Sequence, residues 1–246
     1  MITVTCVESF KDKDQLHYGC FIIEPFNAGQ ALTVGNALRR TLLGDIIGSA
    51  ITKVRINTVK HEFSAISGVR EDVLEILLNL KEVVFKSSIV APAPVQLRVS
   101  GPSIVTASQL ITPRHLQVIN PTQYLATVFE SSTLEIELQV EQGKGYKLAD
   151  EKESDSEFLL IDSVFSPIRR VNYKIKMIPT DTFEVKEALI LEIWTNGSIT
   201  PRRSLREATK FLIKLFYPIL LNERQAYPPK KAPGIRFQGS PDKEKD

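Results

Sequence analysis

Apolar and polar residues alternate with a period of two over several stretches of the chain. The alternation is strictest in residues 134–140, and it recurs in residues 95–99 and 51–59. Longer runs rich in strand-forming residues cover residues 18–26, 171–178 and 188–195, and the first of them is expected to end at Pro25. Because side chains of a strand point alternately to its two faces, these runs predict half-buried strands.

Apolar residues at intervals of three and four predict three helices. The first covers residues 30–44, with Thr33 as its N-cap and Gly44 as its stop. The second covers residues 67–85 and carries Glu71 and Asp72 in its first turn, where the helix dipole favours anions. Its apolar stripe consists of Val69, Val73, Ile76, Leu77 and Leu80. The third covers about residues 201–221, and Pro218 is expected to kink or end it.

The third predicted helix is apolar well beyond one stripe. Its main stripe consists of Leu205, Ala208, Leu212, Leu215, Phe216 and Ile219, and Phe211, Ile213, Tyr217 and Leu220 widen it. Such a helix has to be covered on more than one side. Two interpretations remain open: a helix inside the core of a large monomer, or a subunit interface, most simply between two copies related by a two-fold axis.

The first predicted helix has two different faces. At 100° per residue, one face carries Val34, Leu38, Thr41 and Leu42, and the opposite face carries Asn36, Arg40 and Leu43, with Arg39 between them. An arginine beside apolar groups suits a protein interface, because its planar head binds carboxylates while its stem packs. The alternative is that both arginines are solvated surface charges.

Composition and charge exclude several classes of protein. The 246 residues include 31 Lys and Arg against 29 Asp and Glu, a formal net charge of +2, and 43% are hydrophobic. This composition excludes a wholly disordered chain, and no apolar run approaches the roughly 20 residues that cross a bilayer. The small net charge disfavours a protein that coats nucleic acid. Cys6 and Cys20 form no CxxC pair and no secretory signal is recognised, so we expect a reducing, internal compartment.

Motifs for catalysis, metal binding or cofactor binding are missing from the sequence. His61-Glu62 is not followed by a second histidine four residues later, where Ala65 stands, and the chain has only three histidines. No nucleophile elbow and no phosphate-binding loop occurs. We therefore predict no catalytic site, no metal site and no cofactor. A self-contained enzyme and a nucleic-acid-binding module remain as weaker alternatives.

Several long motifs resemble one known family. Residues 33–43 (TVGNALRRTLL), 61–64 (HEFS) and 68–81 (GVREDVLEILLNLK) closely resemble the alpha subunit of bacterial-type DNA-directed RNA polymerase. The later segments Ile161-Asp162, Phe165–Pro167, Arg169–Tyr173 and Trp194–Ser198 are also similar to it, in the same order over about residues 1–221. Residues 192–221 look more like plastid than bacterial members.

The resemblance implies an α+β fold in which a mainly β domain is inserted into a dimerisation domain. The dimerisation domain would comprise residues 1–48 and 165–230, the inserted domain residues 49–164, and a disordered tail residues 231–246. The chain would be a non-catalytic subunit that forms a homodimer and scaffolds assembly of the beta and beta-prime subunits. The resemblance places it in the plastid stroma, with the bacterial cytoplasm as the alternative, without a membrane and with only indirect DNA contact.

The resemblance also implies roles for individual residues. The first and last helices would form the dimer interface, through Val34, Leu38, Leu42, Leu205, Leu212, Leu215, Phe216 and Ile219. Asn36, Arg40 and Leu43 would contact beta, and Lys81, Ile161 and Asp162 would contact beta-prime. For Lys81 the alternative is a cation favoured by the helix C-terminus. Family members carry a further helical domain that binds promoter DNA, and its absence indicates either a shortened subunit or a trimmed sequence.

Overall fold

The computed structural model describes residues 1–12, 16–56, 59, 61–129, 132–149, 158–179 and 185–221, together with the helical backbone of residues 222–226. The helices are α1 (Gln30–Gly44), α2 (Val73–Lys81) and α3 (Pro201–Ala226), with a short 3₁₀ turn at Ala107–Gln109. The strands are β1 (Thr3–Lys11), β2 (His17–Asn27), β3 (Ile47–Ile56), β4 (Phe85–Ser87), β5 (Ala93–Ser100), β6 (Ser103–Thr106), β7 (Leu116–Val118), β8 (Tyr124–Val128), β9 (Thr133–Lys144), β10 (Tyr146–Lys147), β11 (Leu159–Leu160), β12 (Ser163–Val164), β13 (Ile168–Ile178) and β14 (Lys186–Thr195).

The strands form antiparallel sheets, so the predicted α+β class is confirmed. Sheet I has the order β1-β2-β14-β13 and combines strands from both ends of the chain. Sheet II has the order β5-β9-β3-β4-β7, and β11 pairs with β3. The pairs β6-β8 and β10-β12 are separate two-stranded sheets. The residues up to Leu212 form one compact unit, and a second unit begins at Ile213.

Two hydrophobic cores correspond to the two large sheets. Core I lies between one face of sheet I, α1 and the first turns of α3, and includes Leu42, Leu189 and Ala208. Core II joins sheet II to α2 and the β6-β8 pair. Lys144, the last residue of β9 in sheet II, contacts residues next to core I. Its Nζ lies 3.7 Å from Asp45 Oδ1 and 4.5 Å from the centre of the Phe211 ring.

The structure confirms the predicted strands with some changes at their ends. The alternation of residues 95–99 and 134–140 is that of β5 and β9, whose apolar residues point into core II. Strand β2 continues through Pro25 to Asn27, so the expected end at Pro25 is wrong. Strand β3 starts four residues before the predicted 51–59, and a bulge between Ile51 and Lys53 interrupts its alternation.

The predicted helices are all present, but their ends differ. Helix α2 covers nine residues instead of the predicted 67–85, because Asp72 is its N-cap, and its carboxylate accepts a hydrogen bond from the Glu75 N–H at 2.7 Å. Helix α3 continues past Pro218 to Ala226, so the proline does not end it. An interior proline removes one N–H donor and its ring crowds the carbonyl four residues earlier, which weakens or kinks a helix without always ending it.

The predicted cap of α1 is wrong. Gly29, with a φ of 83°, occupies the N-cap position, and Thr33 lies inside the first turn, where its hydroxyl donates to the Gly29 carbonyl. Gly44 is the last helical residue, as predicted. The N-terminus of α1 is capped instead by a side chain from β14, which is described below.

The predicted tail at residues 231–246 lies outside the described residues. Both cysteines are free thiols. None of the helices that the structure describes is both long and apolar enough to span a membrane.

Candidate subunit-contact surfaces

Helix α1 is held firmly on sheet I. The carboxylate of Glu187, on β14, accepts hydrogen bonds from the backbone N–H of Gly29 at 2.9 Å and of Ala31 at 3.2 Å. These N–H groups belong to the helix N-terminus, which has no intrahelical partners for them and favours a negative charge. The close contact of Gly35 with Tyr173 and Leu189 brings the middle of the helix against the sheet. Helix α1 is therefore a rigid support for its outer face.

The outer face of α1 carries the three residues predicted to contact beta. Asn36, Arg40 and Leu43 are all exposed on this face, and Arg39 is exposed beside them. The Tyr173 hydroxyl donates to Asn36 Oδ1 at 2.7 Å, which orients the Asn36 amide. Arg40 forms no ion pair with any of the described residues, so its guanidinium is available to a partner. The face thus combines a free planar cation with an exposed leucine.

The inner face of α1 packs within the same chain. Leu38 and Leu42 are only 4% and 0% exposed, and Leu205 of α3 is 8% exposed, so all three lie in core I. Val34 is half-buried against that core. Of the residues predicted at the dimer interface, Leu38, Leu42 and Leu205 therefore present almost no surface to a second copy, because they pack within their own chain.

The second half of α3 has a different environment. Leu212 is half-buried against core I, but Leu215, Phe216 and Ile219 are more than half exposed. Further exposed apolar residues of this helix are Ile213, Tyr217, Leu220 and Leu221. Water-exposed apolar surface of this extent on consecutive helical turns marks an interaction site.

Lys81 and Asp162, predicted to contact beta-prime, lie next to each other. Lys81 is the last residue of α2, and its Nζ is 3.9 Å from Asp162 Oδ2. The Tyr146 hydroxyl donates to the same oxygen at 2.8 Å, and the Ala149 N–H donates to Oδ1 at 2.9 Å. Lys81 Nζ also lies 5.8 Å from the centre of the Tyr146 ring. The structure thus brings together two residues that are 81 positions apart in the sequence.

The electrostatics of this cluster follow from its hydrogen bonds. The bond from the Ala149 N–H, then that from the Tyr146 hydroxyl, and finally the nearby Lys81 ammonium hold the pKa of Asp162 below its usual value. The same hydrogen bond raises the pKa of Tyr146, because its proton is shared with a carboxylate. Asp162 is therefore an ionised acceptor that is already used within the chain.

Ile161, the third residue predicted to contact beta-prime, lies apart from this pair. Its side chain is 8% exposed and belongs to core II. The adjacent Ser163 is also buried, and its hydroxyl donates to the Ile51 carbonyl at 2.7 Å. In this segment Asp162 and Val164 therefore face outward, while Ile161 and Ser163 are buried.

Three residues that support these surfaces were not predicted from the sequence. Glu187 caps α1, Tyr173 orients Asn36, and Tyr146 binds Asp162. Each acts across a large separation in sequence, and no local pattern indicates it. Among the described residues, no group of three or more potential ligands could hold a metal ion.

Comparisons with known proteins agree on one family. Residues 54–166 match the family model of the RNA polymerase Rpb3/RpoA insert domain. The chain is 49% identical over 218 residues to the DNA-directed RNA polymerase subunit alpha of Pyrenomonas salina, covering 88% of this chain and 69% of that protein. It is 48% identical over 217 residues to the subunit of the same name from Cyanophora paradoxa, covering 87% and 69%. It is also 48% identical over 227 residues to the subunit alpha of Synechocystis sp., covering 91% of this chain and 72% of that protein.

Proposed function

This chain belongs to the family of DNA-directed RNA polymerase alpha subunits, and from this premise we propose that it forms a homodimer on which the beta and beta-prime subunits assemble. The observation that carries the proposal is the two-sided arrangement of α1. Its N-terminus is capped by Glu187, its inner face packs in core I, and its outer face exposes Asn36, Arg40 and Leu43. The chain itself supplies no catalytic group in this role.

The homodimer is proposed to form through α3 together with the region around Val34. Leu215, Phe216 and Ile219 provide exposed apolar surface that a second copy would remove from water. At about 25 cal/mol per Å² of buried apolar area, a few such side chains from each copy contribute several kcal/mol. Leu212 is half-buried against core I, in which Leu38, Leu42 and Leu205 also lie. In an interface with a two-fold axis, each copy would contribute the same residues.

The outer face of α1 is the proposed contact with beta, and Arg40 is its central residue. A guanidinium binds a carboxylate through two parallel hydrogen bonds, and such bonds gain strength when the surrounding apolar groups exclude water. Leu43 lies close to Arg40 on the helix surface and is exposed. The pair thus provides both an apolar contact and a charged one. Asn36, one turn earlier, adds a side-chain amide that Tyr173 holds in place.

Lys81 and Asp162 form the proposed contact with beta-prime. The two copies in a symmetric dimer are identical, so each carries the surface for beta and the surface for beta-prime. We propose that beta binds its surface on one copy and that beta-prime binds its surface on the other. The dimerisation domain is proposed to comprise residues 1–48 and 165–230, and the inserted domain residues 49–164. The separate cores I and II support this division.

The plastid stroma is the proposed location, and the bacterial cytoplasm is the alternative. The relatives come from organisms such as Cyanophora paradoxa and Synechocystis, whose subunits match this chain at similar identity. DNA contact would be indirect, through the assembled complex.

Reconstitution tests the proposed function. The purified chain is mixed with purified beta and beta-prime, and complex formation and RNA synthesis on a DNA template are measured. We expect no synthesis by the chain alone, and a complex with two copies of the chain when all three are mixed. The proposal is wrong if beta and beta-prime assemble equally well without the chain, or if the chain remains monomeric in the complex.

A further inference from the structure

The first half of α3 has two sides of opposite character. Its inner side packs on sheet I: Leu205 and Ala208 belong to core I, and Ser204 is buried beside them. Pro201 lies so close to β2 that a Cβ added to Gly19 would be 2.7 Å from the Pro201 Cβ. This part of α3 is therefore held firmly, and its outer side is a fixed surface.

Three arginines form this outer side. Arg202, Arg203 and Arg206 are all exposed, and at 100° per residue they lie within about 100° of the helix circumference. We call these three residues the α3 basic face. None of them forms an ion pair with a residue that the structure describes. Glu207, the only carboxylate in this half of α3, pairs instead with Lys210 at 3.0 Å.

The arginines of the α3 basic face do not serve the stability of the helix. Arg202 and Arg203 stand in the first turn, which has no acidic residue, although the free N–H groups at a helix N-terminus favour anions. Arg202 and Arg206 are four positions apart, so they also repel each other. A helix that had only to be stable and soluble would carry carboxylates here. The arrangement is explained if the face binds an anionic partner, whose charge offsets both repulsions.

Phosphate groups suit the α3 basic face better than a protein partner does. The exposed residues of segment 201–210 are the three arginines, Thr209 and Lys210, and none of them is apolar. Protein interfaces have a centre that is depleted of charged residues, whereas protein–DNA interfaces are polar and strongly positive. The outer face of α1 shows the contrast, because there an exposed leucine accompanies the arginine.

Duplex DNA is the nucleic acid that fits this face. Proteins that hold single strands stack the bases on aromatic side chains. This half of α3 exposes no aromatic ring, since Phe211 is half-buried, with Lys144 Nζ 4.5 Å from its ring centre. Arg202 and Arg206 are about 6 Å apart along the helix axis, and a duplex carries a phosphate every 3.4 Å or so along each strand. A second copy of this chain fits poorly, because two faces of like charge would meet.

We propose that the α3 basic face binds the phosphate backbone of duplex DNA without sequence preference. This contact goes beyond the proposed function, in which DNA contact is indirect, and it uses none of the residues proposed to contact beta or beta-prime. Each guanidinium would donate hydrogen bonds to phosphate oxygens, and the cations condensed on those phosphates would be released. The small net charge of the whole chain is compatible with this contact, because the three arginines form a local cluster.

The test measures binding of the purified full chain to a short fluorescent DNA duplex of arbitrary sequence, by fluorescence anisotropy at a series of KCl concentrations. The logarithm of the binding constant falls with the logarithm of the salt concentration, with a slope of about −0.9 per phosphate contacted. Arg202→Gln/Arg206→Gln removes two such contacts. We expect its slope to be less steep by about 2 and its affinity at low salt to fall by about tenfold or more.

Two controls separate the contact from general charge and from folding. Arg114→Gln/Lys174→Gln removes two cations that are also exposed but lie before β7 and on β13, so it should bind the duplex like the wild type. Arg206→Lys keeps the charge and should keep the slope. The urea midpoint of Arg202→Gln/Arg206→Gln should not fall, because this variant relieves the repulsion within α3.

Several results would overturn the inference. They are an unchanged slope in Arg202→Gln/Arg206→Gln, an equal change in Arg114→Gln/Lys174→Gln, and better competition by single-stranded RNA than by an unlabelled duplex of the same length. If Arg202→Gln/Arg206→Gln binds the duplex normally but loses capture of beta or beta-prime, the face contacts a subunit instead. A wild-type chain that binds the duplex as expected but captures neither large subunit contradicts the proposed function and leaves this inference intact.

Discussion

Glu187 accepts a hydrogen bond from the backbone N–H of Gly29 at 2.9 Å, and in this way a strand residue caps a helix that begins more than 150 positions earlier in the sequence. The second oxygen of the same carboxylate accepts from Ala31 N–H at 3.2 Å. Because Gly29 has no side chain, Glu187 does what a serine or aspartate at the N-cap does in other helices. Glu187 thus joins sheet I to the N-terminus of α1, the helix whose outer face carries Arg40.

The first prediction concerns this cap. Glu187→Ala removes both hydrogen bonds and the charge at the helix N-terminus, and we expect the free energy of unfolding to fall by about 1–2 kcal/mol in urea titrations. Glu187→Gln keeps a neutral hydrogen-bond acceptor, so its free energy of unfolding should fall by less than that of Glu187→Ala. Equal stability of the wild type and Glu187→Ala would contradict the capping role. All titrations use one chain concentration, since dimerisation also changes apparent stability.

The cap also shows how far the sequence could predict the fold. Alternation and helical spacing are local patterns, and they correctly predicted α1, β5, β9 and the last two long strands. The Gly29–Glu187 contact is not local, so the local pattern predicts Thr33, a threonine near the start of the helix, as the cap instead. Strand β1 was not predicted at all, because all nine of its residues are exposed and no burial pattern distinguishes it.

The candidate site was predictable to a similar extent. Helical geometry alone places Asn36, Arg40 and Leu43 on one face, and the structure agrees. Apolar character alone does not distinguish a residue that packs in its own core from one that packs against a partner, so Leu42 and Phe216 received the same prediction. The structure separates them, since the first is fully buried and the second is 57% exposed.

The second prediction concerns the contact between α1 and sheet I at Gly35. A Cβ added there would lie 2.9 Å from Tyr173 Cδ2 and 3.0 Å from Leu189 Cδ1, so in Gly35→Ala these side chains or the helix have to move. We expect a loss of about 1–3 kcal/mol from overpacking, which exceeds the gain of about 1 kcal/mol from the better helix propensity of alanine. Unfolding in urea measures the balance.

Gly44→Ala is the matched control for Gly35→Ala. It lies in the same helix, and an added Cβ would meet nothing within 4 Å. Only the gain in helix propensity applies, so this variant should be as stable as the wild type or more stable. If Gly35→Ala is also as stable as the wild type or more stable, the contact between α1 and Tyr173 has room for a methyl group, and the prediction is wrong.

The third prediction concerns the titration of Asp162. Its pKa is lowered by hydrogen bonds from the Ala149 N–H and Tyr146 and by the Lys81 charge, so its contribution to stability is present above the pKa of the unfolded chain and is lost as the pH falls through the lower folded value. Tyr146→Phe removes one hydrogen bond from the ionised form. We therefore expect the pKa of Asp162 to rise in this variant, as followed by NMR of its carboxyl carbon.

Lys81→Met serves as the comparison for Tyr146→Phe. Lys81 acts on Asp162 over 3.9 Å without a hydrogen bond, so its removal should raise the pKa of Asp162 less than the removal of Tyr146 does. The opposite order would mean that the ion pair, and not the hydrogen bonds, holds Asp162 ionised. In that case Lys81 would have less capacity for a carboxylate from a partner.

The fourth prediction concerns Arg40. Arg40→Ala should leave the homodimer intact, because the side chain is exposed and forms no ion pair with the residues that the structure describes. It should weaken capture of beta by about tenfold or more, since arginine is frequent among the residues that dominate interfaces. Co-purification of beta with the tagged chain measures the effect. Arg40→Lys keeps the charge but not the planar head, so an intermediate loss is expected if the contact is bidentate. Unchanged capture by Arg40→Ala would rule out the outer face of α1 as the contact with beta.

The fifth prediction concerns the proposed dimer surface of α3. Leu212→Glu would be a poor test, since this side chain is half-buried against core I and a carboxylate there would also disturb the fold. Phe216 is exposed, so Phe216→Glu leaves the core intact and places a charge in the proposed interface, where burying it without a partner is costly. Light scattering should then give the mass of a monomer, with an unchanged circular dichroism spectrum. Lys214→Glu adds a carboxylate at an exposed polar position of the same helix and should remain a dimer. If Phe216→Glu and Lys214→Glu are both dimers, α3 does not form the interface, and the exposed apolar residues of its second half face a different partner.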